Sequence, residues 1–394
     1  MLLKKPDQGG AEKAAAVLGN LRGLAAKVGQ MASYVDGVVP EAQREIYEST
    51  LKKLQSQTLR SSAKDVRATI EADLGAPPEE IFQTFTDEPF ASASIGQVHR
   101  AITKDGTAVA VKVQHAHIQE AVESDLSNAS LLQNFGSLTM GTRVELDKML
   151  EVMKARFREE LDYEHEAEQM RFFSELHADD AQIRLPKIYP EASGKHVLTT
   201  EFVSGSTFDE ACAASESERR QWAETLWRFV FKGNLVGCRF NADPHPGNYI
   251  FHPSGQVTFL DFGCVQKIAE ENHVRAVEVH VAAMRKDESA FREGCRAMFS
   301  SKPGALEDAA IAYTRKCFEP LFGSPYRITR GYSAELVTGM KALAKMVRSV
   351  PEEEFFTMPS NMLFMNRLQF GFYSVLARLD VEVDYVEVER AFML

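Results

Sequence analysis

The sequence predicts an α+β chain of two lobes behind a helical extension, and three patterns predict it. Small residues at 91–96 give way to alternation that turns at Lys104-Asp105-Gly106-Thr107 and returns through Ala108–Val113, a hairpin signature. A second pair of short apolar runs, Tyr249-Ile250-Phe251 and Val257 to Phe262, is joined by His252-Pro253-Ser254-Gly255-Gln256 and reads as another hairpin. The remaining stretches with a regular apolar repeat follow helical spacing. The boundaries fall at 1–80 for the extension, 81–203 for the strand-bearing lobe and 204–394 for a mainly helical lobe.

Composition bounds the function before any motif does. A chain of 394 residues with 44% hydrophobic and 26% charged residues can bury a large core. Its net charge of −11, with no long basic block, leaves a nucleic-acid role without an electrostatic basis. Cys212, Cys238, Cys264, Cys295 and Cys317 are scattered without Cys-x-x-Cys spacing, which fits packing residues in a reducing compartment. The most apolar stretch, Met362 to Leu376, is interrupted by Asn366, Arg367 and Gln369, so an amphipathic helix is expected and not a membrane span. The first ten residues, MLLKKPDQGG, lack an apolar signal core. The expected location is cytoplasmic with peripheral membrane association; an organellar address would need a targeting segment outside this stretch.

Residues 11–39 carry Val17, Leu18, Leu21, Leu24, Val28, Met31 and Val35 at helical spacing up to Pro40. Lys27 and Gln30, three apart, emerge on one edge of that stripe and could reach one site. A second charged helical region spans 41–76 and breaks at Ala76-Pro77-Pro78. In the returning strand Val109, Val111 and Val113 share one face, while Ala108, Ala110 and Lys112 share the other. Lys112 therefore stands among small alanines with room for a ligand beside it. Upstream, Ala91, Ser92, Ala93, Ser94, Gly96 and Gln97 form a small-residue loop whose backbone N–H groups could approach phosphate oxygens. It is not a Gly-x-Gly-x-x-Gly loop, because alanine and serine stand where glycines are expected.

Residues 144–176 read as a long charged helix on which Asp162 and Glu166, four apart, share a face. Glu166 can then pair with Lys112 while Asp162 points into the same cleft. Glu160 lies some 200° round from Asp162, so either the helix breaks near Leu161 or the two acids serve different partners. The stretch His196 to Gly205 reads as a strand entering a turn, with backbone groups at Glu201 and Val203 placed to meet an adenine edge. An apolar helix over 208–238 follows.

The richest stretch is CRFNADPHPGNYIFHPSGQVTFLDFG, residues 238–263. Its hairpin brings Asp243, Asn248 and Asp261 to one end. Such a set suits phosphoryl transfer or hydrolysis: one carboxylate orients the nucleophile, while an Asn and a second carboxylate hold Mg²⁺ against nucleotide phosphates. Oxygen ligands of this kind suit a hard cation and not zinc. After Asp261-Phe262-Gly263 no Ser, Thr or Tyr occurs from Cys264 to Glu288, and no Ala-Pro-Glu follows, so the usual phosphorylatable activation loop is missing.

Together these residues resemble the UbiB family of atypical protein-kinase-like proteins, also called AarF-domain kinases. The resemblance rests on K-x-G-Q at Lys27 to Gln30, A-S-A-S-I-G-Q-V-H at 91–99, Lys112, E-L-D at 160–162, Glu166, D-P-H-P-G-N at 243–248 and D-F-G at 261–263. It implies a bilobal protein-kinase-like fold with the N-terminal helical extension packed over the active-site cleft. It also implies that Lys27 meets Glu160 and Asp162, that Lys112 and Glu166 serve the phosphates of ATP or ADP, that Asn248 and Asp261 hold Mg²⁺, and that Asp243 takes the catalytic-base position. The family is associated with ATPase activity and with ubiquinone or other isoprenoid-lipid synthesis near membranes, which implies an anionic-lipid or isoprenoid-lipid ligand and lipid-biosynthesis enzymes as partners. Phosphorylation of proteins in trans is not expected. Ser92 stands where the family usually has alanine, a departure that bears on nucleotide preference, and the C-terminal transmembrane pair of some bacterial members is absent. D-x-H-P-G-N is also similar to the catalytic loop of aminoglycoside and choline kinases, which keeps a small-molecule phosphotransferase in view beside a non-catalytic nucleotide-dependent scaffold.

Overall fold

The computed structural model describes residues 61–92, 95–120, 159–299, 303–347 and 362–393. The 11–39 helix with Lys27 and Gln30, and residues Ala93 and Ser94, lie outside the described residues. The chain divides into two compact units. One runs to Ala167 and takes in Lys187–Phe202; the other comprises Glu168–Pro186 and everything from Val203.

The first unit is built on an antiparallel sheet. Helix α1 (Ala63–Leu74) starts at a reciprocal capping box between Ser62 and Asp65 and stops at Gly75, whose φ of 77° is the left-handed conformation that glycine adopts without cost. A short turn α2 (Pro78–Ile81) leads into β1 (Phe82–Phe85), then β2 (Ala91–Ser92), β3 (Gly96–Thr103) and β4 (Ala108–Gln114). With β6 (Val197–Glu201), the order is β1-β3-β4-β6, and β2 pairs with the start of β3. Val109, Val111 and Val113 are fully buried in a cluster with Val66 and Ile70 of α1, as the alternation requires. Each such burial is worth about 1.5–3 kcal/mol. Asp73 near the end of α1 accepts hydrogen bonds from the amides of His196 and Val197 at 2.8 and 3.0 Å, pinning the start of β6.

Helix α3 (Tyr163–Leu176) belongs to the second unit from Glu168 onward. Strand β5 (Ile183–Arg184) precedes the helical stretch expected at 208–238, which is two helices: α4 (Phe208–Cys212) and α5 (Glu216–Leu235). The break arises because Ser215 forms a capping box with Glu218, supplying partners that a continuous helix would not need. Strand β7 (Arg239–Asn241) follows; β8 (Tyr249–Phe251) and β9 (Val257–Phe259) form the second expected hairpin, with β5 parallel to β9. Strand β10 (Val265–Lys267) pairs with β7.

The remainder is helical in the main: α6 (Glu270–Met284), α7 (Glu288–Phe299), α8 (Ala305–Cys317), α9 (Glu319–Phe322), α10 (Arg330–Val347), α11 (Met362–Leu379) and α12 (Tyr385–Met393). Two short strands, β11 (Tyr326–Arg327) and β12 (Glu382–Val383), clip this region together. The core gathers on Trp227 of α5, whose ring lies 4.0 Å from Tyr385 and 6.0 Å from Phe372 by centroid. No helix among the described residues is long and apolar enough to cross a membrane.

Candidate active site

In the first unit the alternation of β4 turns Lys112 away from the valine face. Its Nζ donates to Glu166 Oε1 at 2.9 Å and Oε2 at 2.8 Å, and lies 4.8 Å from the centre of the Tyr163 ring. Glu166 is 2% exposed, so the ammonium is held by a carboxylate removed from water. What places Glu166 there is a break in the helix at Leu161–Asp162. Asp162 Oδ1 accepts from the amides of Glu164 and His165 at 3.1 and 3.2 Å, so Asp162 caps the first turn of α3, and Glu166 sits in that turn. The geometry decides between the two sequence alternatives: the helix breaks. One oxygen of Asp162 is thereby committed to the helix terminus, a task that the expectation of a cleft-facing carboxylate did not include. Glu160 stands before the break, 6% exposed.

The small-residue loop is only partly as read. Ala91 pairs with Val98, and Ser92 with Gln97, across β2 and β3. A Cβ on Gly96 would stand 2.5 Å from the Val113 carbonyl oxygen and 2.8 Å from the Tyr163 hydroxyl. Gly96 is therefore demanded by close packing at this point of the sheet. The Gln97 side chain is 1% exposed. It accepts from the Ser61 amide at 3.1 Å and meets His99 Nε2 at 3.0 Å, so any ligand contact there falls to backbone. At the end of β6 the Glu201 amide donates to the Lys187 carbonyl at 2.8 Å. That N–H is satisfied within the protein. Val203, in the other unit, is half-buried.

The second unit gathers Asp243, Asn248 and Asp261, and the residue that ties them is one the sequence reading passed over. Asn241, the last residue of β7, donates from Nδ2 to the Asp261 carbonyl at 2.5 Å and accepts the Asp243 amide on Oδ1 at 3.0 Å. Asn248 donates from Nδ2 to the Asp243 carbonyl at 3.1 Å, and its own carbonyl takes the Leu260 amide at 3.0 Å. Asp261 Oδ1 accepts the Gly263 amide at 3.0 Å. Phe262 is fully buried, with ring centres of Phe173 and Phe229 at 5.3 and 6.1 Å, and so anchors the Asp-Phe-Gly turn. Below, the Tyr249 hydroxyl is pushed well above its ordinary pKa by burial first and by the charge of Asp243 second. The only sequence sign of Asn241 was an Asn two residues before the acid in Arg-Phe-Asn-Ala-Asp.

The donor chemistry fits a magnesium ion. With Asn248 Nδ2 committed, Oδ1 is the atom this amide has to offer, beside a carboxylate at Asp261. Among the described residues no group of three or more His, Cys, Asp or Glu has metal-holding geometry. Two oxygen ligands completed by phosphate and water match the way Mg²⁺ is held in phosphotransferases.

A β-sheet unit carrying a lysine–glutamate pair, and a helical unit carrying an Asp/Asn/Asp-Phe-Gly cluster, define the protein as kinase-like. Residues 53–294 match the ABC1 atypical kinase-like domain, and the chain belongs to that family, as the UbiB/AarF motifs led one to expect. It is 29% identical over 384 residues to the mitochondrial atypical kinase coq-8 of Caenorhabditis elegans, covering 95% of this chain and 49% of the relative. It is 30% identical over 358 residues to the mitochondrial atypical kinase COQ8B of Rattus norvegicus, covering 88% and 66%. The chain thus spans between half and two thirds of the length of these relatives. Among solved structures it is similar to the complex of Rv3197 with erythromycin from Mycobacterium tuberculosis, with a TM-score of 0.64, 25% identity, and coverage of 98% of this chain and 96% of that one.

Proposed function

We propose that this protein binds ATP or ADP with Mg²⁺ and hydrolyses or transfers the terminal phosphoryl group, in support of ubiquinone or other isoprenoid-lipid synthesis at a membrane surface. The observation that carries the reading is the Lys112–Glu166 pair, in which a half-buried lysine is held by a buried carboxylate. A buried ion pair contributes little net stability, so a lysine held this way is better explained by phosphate positioning than by folding. Lys112 would neutralise phosphate oxygens, with Glu166 fixing its ammonium. Asp243 would accept the proton of the attacking water or hydroxyl as the oxygen–phosphorus bond forms and ADP leaves. Asn248 and Asp261 would hold Mg²⁺, which when bound spreads the charge developing on the β- and γ-oxygens. Lys27, Glu160 and Asp162 would form a shared cluster at the same site. Support for the pathway comes from the similar proteins coq-8 and COQ8B, which are mitochondrial atypical kinases. Anionic or isoprenoid lipid, and lipid-biosynthesis enzymes, are the partners this reading requires, with organellar or peripheral membrane placement.

The test is Mg²⁺-dependent phosphate release from ATP, with and without liposomes containing anionic lipid, beside Asp261→Asn. Release that rises with liposomes and vanishes in the variant is the expected result. Absence of release with nucleotide binding intact would sink the ATPase reading in favour of a scaffold. A second reading, a small-molecule phosphotransferase, is favoured by one observation: the similar solved structure is a complex with erythromycin. It requires a phosphate-labelled metabolite after incubation with γ-labelled ATP.

A further inference from the structure

The helical unit contains a cavity of about 200 Å³ that the phosphoryl chemistry does not use. Its walls include Trp227 and Phe231 of α5, Val279 of α6, Ala310 of α8, Leu343 of α10 and Phe372 of α11. Apolar surfaces of this kind normally meet each other, and closing the gap would gain dispersion contacts for every lining side chain. A dry apolar cavity of about 150 Å³ accepts benzene, so the space suits a molecule of one or two rings or a short branched chain.

Unpaired polar atoms on the wall specify the rest. Asn234 of α5 lines the cavity and is 5% exposed. Its Nδ2 donates to the Val230 carbonyl at 3.0 Å, but Oδ1 meets no hydrogen-bond donor among the described residues. A buried acceptor without a donor costs about 1–3 kcal/mol. The Tyr313 hydroxyl on the same wall is likewise buried without a hydrogen-bond partner among the described residues, while three other polar groups are committed. The Trp227 indole N–H donates to Glu389 at 3.0 Å, His280 Nδ1 meets the same carboxylate at 3.3 Å, and the Tyr373 hydroxyl donates to the Cys317 carbonyl at 3.1 Å.

We infer that this cavity is a binding site for a small apolar molecule carrying an N–H or O–H donor, which Asn234 Oδ1 accepts. The site is continuous with the catalytic loop through its wall. Helix α11 brings Gly371 so close to Pro244, the residue after Asp243, that a Cβ there would stand 2.6 Å from the proline ring. Ile268, another lining residue, donates its amide to the Cys238 carbonyl at 2.9 Å, beside the β7 strand that ends in Asn241.

The experiment is calorimetric titration of the full chain with indole and with benzofuran, which has nearly the same shape but lacks the N–H donor. Indole should bind about tenfold more tightly, the discrimination expected when an analogue leaves a buried polar group unpaired. Asn234→Leu should abolish that difference, and Ala276→Trp, which fills the cavity from α6, should abolish binding of both probes. Saturating Mg·ATP should leave indole binding in place. Failure of indole to bind, equal affinity for the two probes, undiminished binding in Ala276→Trp, or displacement of indole by Mg·ATP would each overturn the inference.

Discussion

His177 offers a sharp test of how the second unit is held together. It is 2% exposed, at the end of α3, with its ring 6.2 Å from Phe173 and 5.1 Å from Phe229 in stacked arrangements. Neither ring nitrogen has a hydrogen-bond partner. Burial, aided by the Lys232 charge and opposed by Asp180 and Asp179, lowers its pKa to about 4. Above an unfolded value of about 6.5 the imidazole is neutral in both states and pH is without effect through this group. Below it the unfolded chain takes up a proton that the folded chain refuses, so stability falls as pH falls, and the loss saturates near the folded value. The full penalty is about 3 kcal/mol, of which about 2 kcal/mol is incurred between pH 7.5 and pH 5. His177→Phe keeps the aromatic stack and removes the proton. The assay is urea unfolding by tryptophan fluorescence, which reads the right unit because both tryptophans, Trp222 and Trp227, lie on α5 beside Phe229. The native protein should lose roughly 1 M more of its urea midpoint than the variant over that pH interval. Any cost of overpacking by Phe is the same at both pH values and cancels. Parallel losses in the two proteins would refute the placement of His177 as a buried, unpartnered imidazole.

Two further outcomes follow from the catalytic unit. Asn241→Ala removes the hydrogen bonds to the Asp243 amide and the Asp261 carbonyl, each worth about 1 kcal/mol, and should lower phosphate release about a hundredfold through misplacement while nucleotide still binds in a fluorescence titration. Gly371→Ala drives a methyl into the ring of Pro244, which has no flexible end to give way, so turnover should fall at least tenfold while the far-UV spectrum is retained.

The sheet was legible because its signals are local. Alternation fixed which side of β4 faces the core, so the buried valines and the opposed Lys112 followed from spacing alone. The second hairpin was equally legible, and with it the meeting of Asn248 and Asp261. The 208–238 stretch was read as one helix because Cys212-Ala213-Ala214-Ser215 contains neither glycine nor proline, although the Ser215…Glu218 box was a readable start signal. Asn241 was out of reach for another reason. Its partner Asp261 lies 20 positions away, and no periodicity encodes a hydrogen bond across that separation.

These misses share a cause that bears on how the site should be perturbed. In each unit the candidate polar side chains stand where regular structure ends and backbone groups need partners: Asp162 at the start of α3 in the first, and Asn241 at the end of β7, Asn248 in the turn before β8 and Asp261 after β9 in the second. Each therefore does two things at once, completing the backbone and offering an oxygen. Alanine removes both contributions and confounds them. Asp261→Asn keeps an acceptor for the Gly263 amide and removes only the charge; Asp162→Asn likewise keeps the cap on Glu164 and His165. If Asp162 serves only as a cap, Asp162→Asn should match the native protein in both melting temperature and phosphate release, and Asp162→Ala should lose about 1 kcal/mol of stability. Lost phosphate release with an unchanged melting temperature in Asp162→Asn would instead assign its charge to the chemistry.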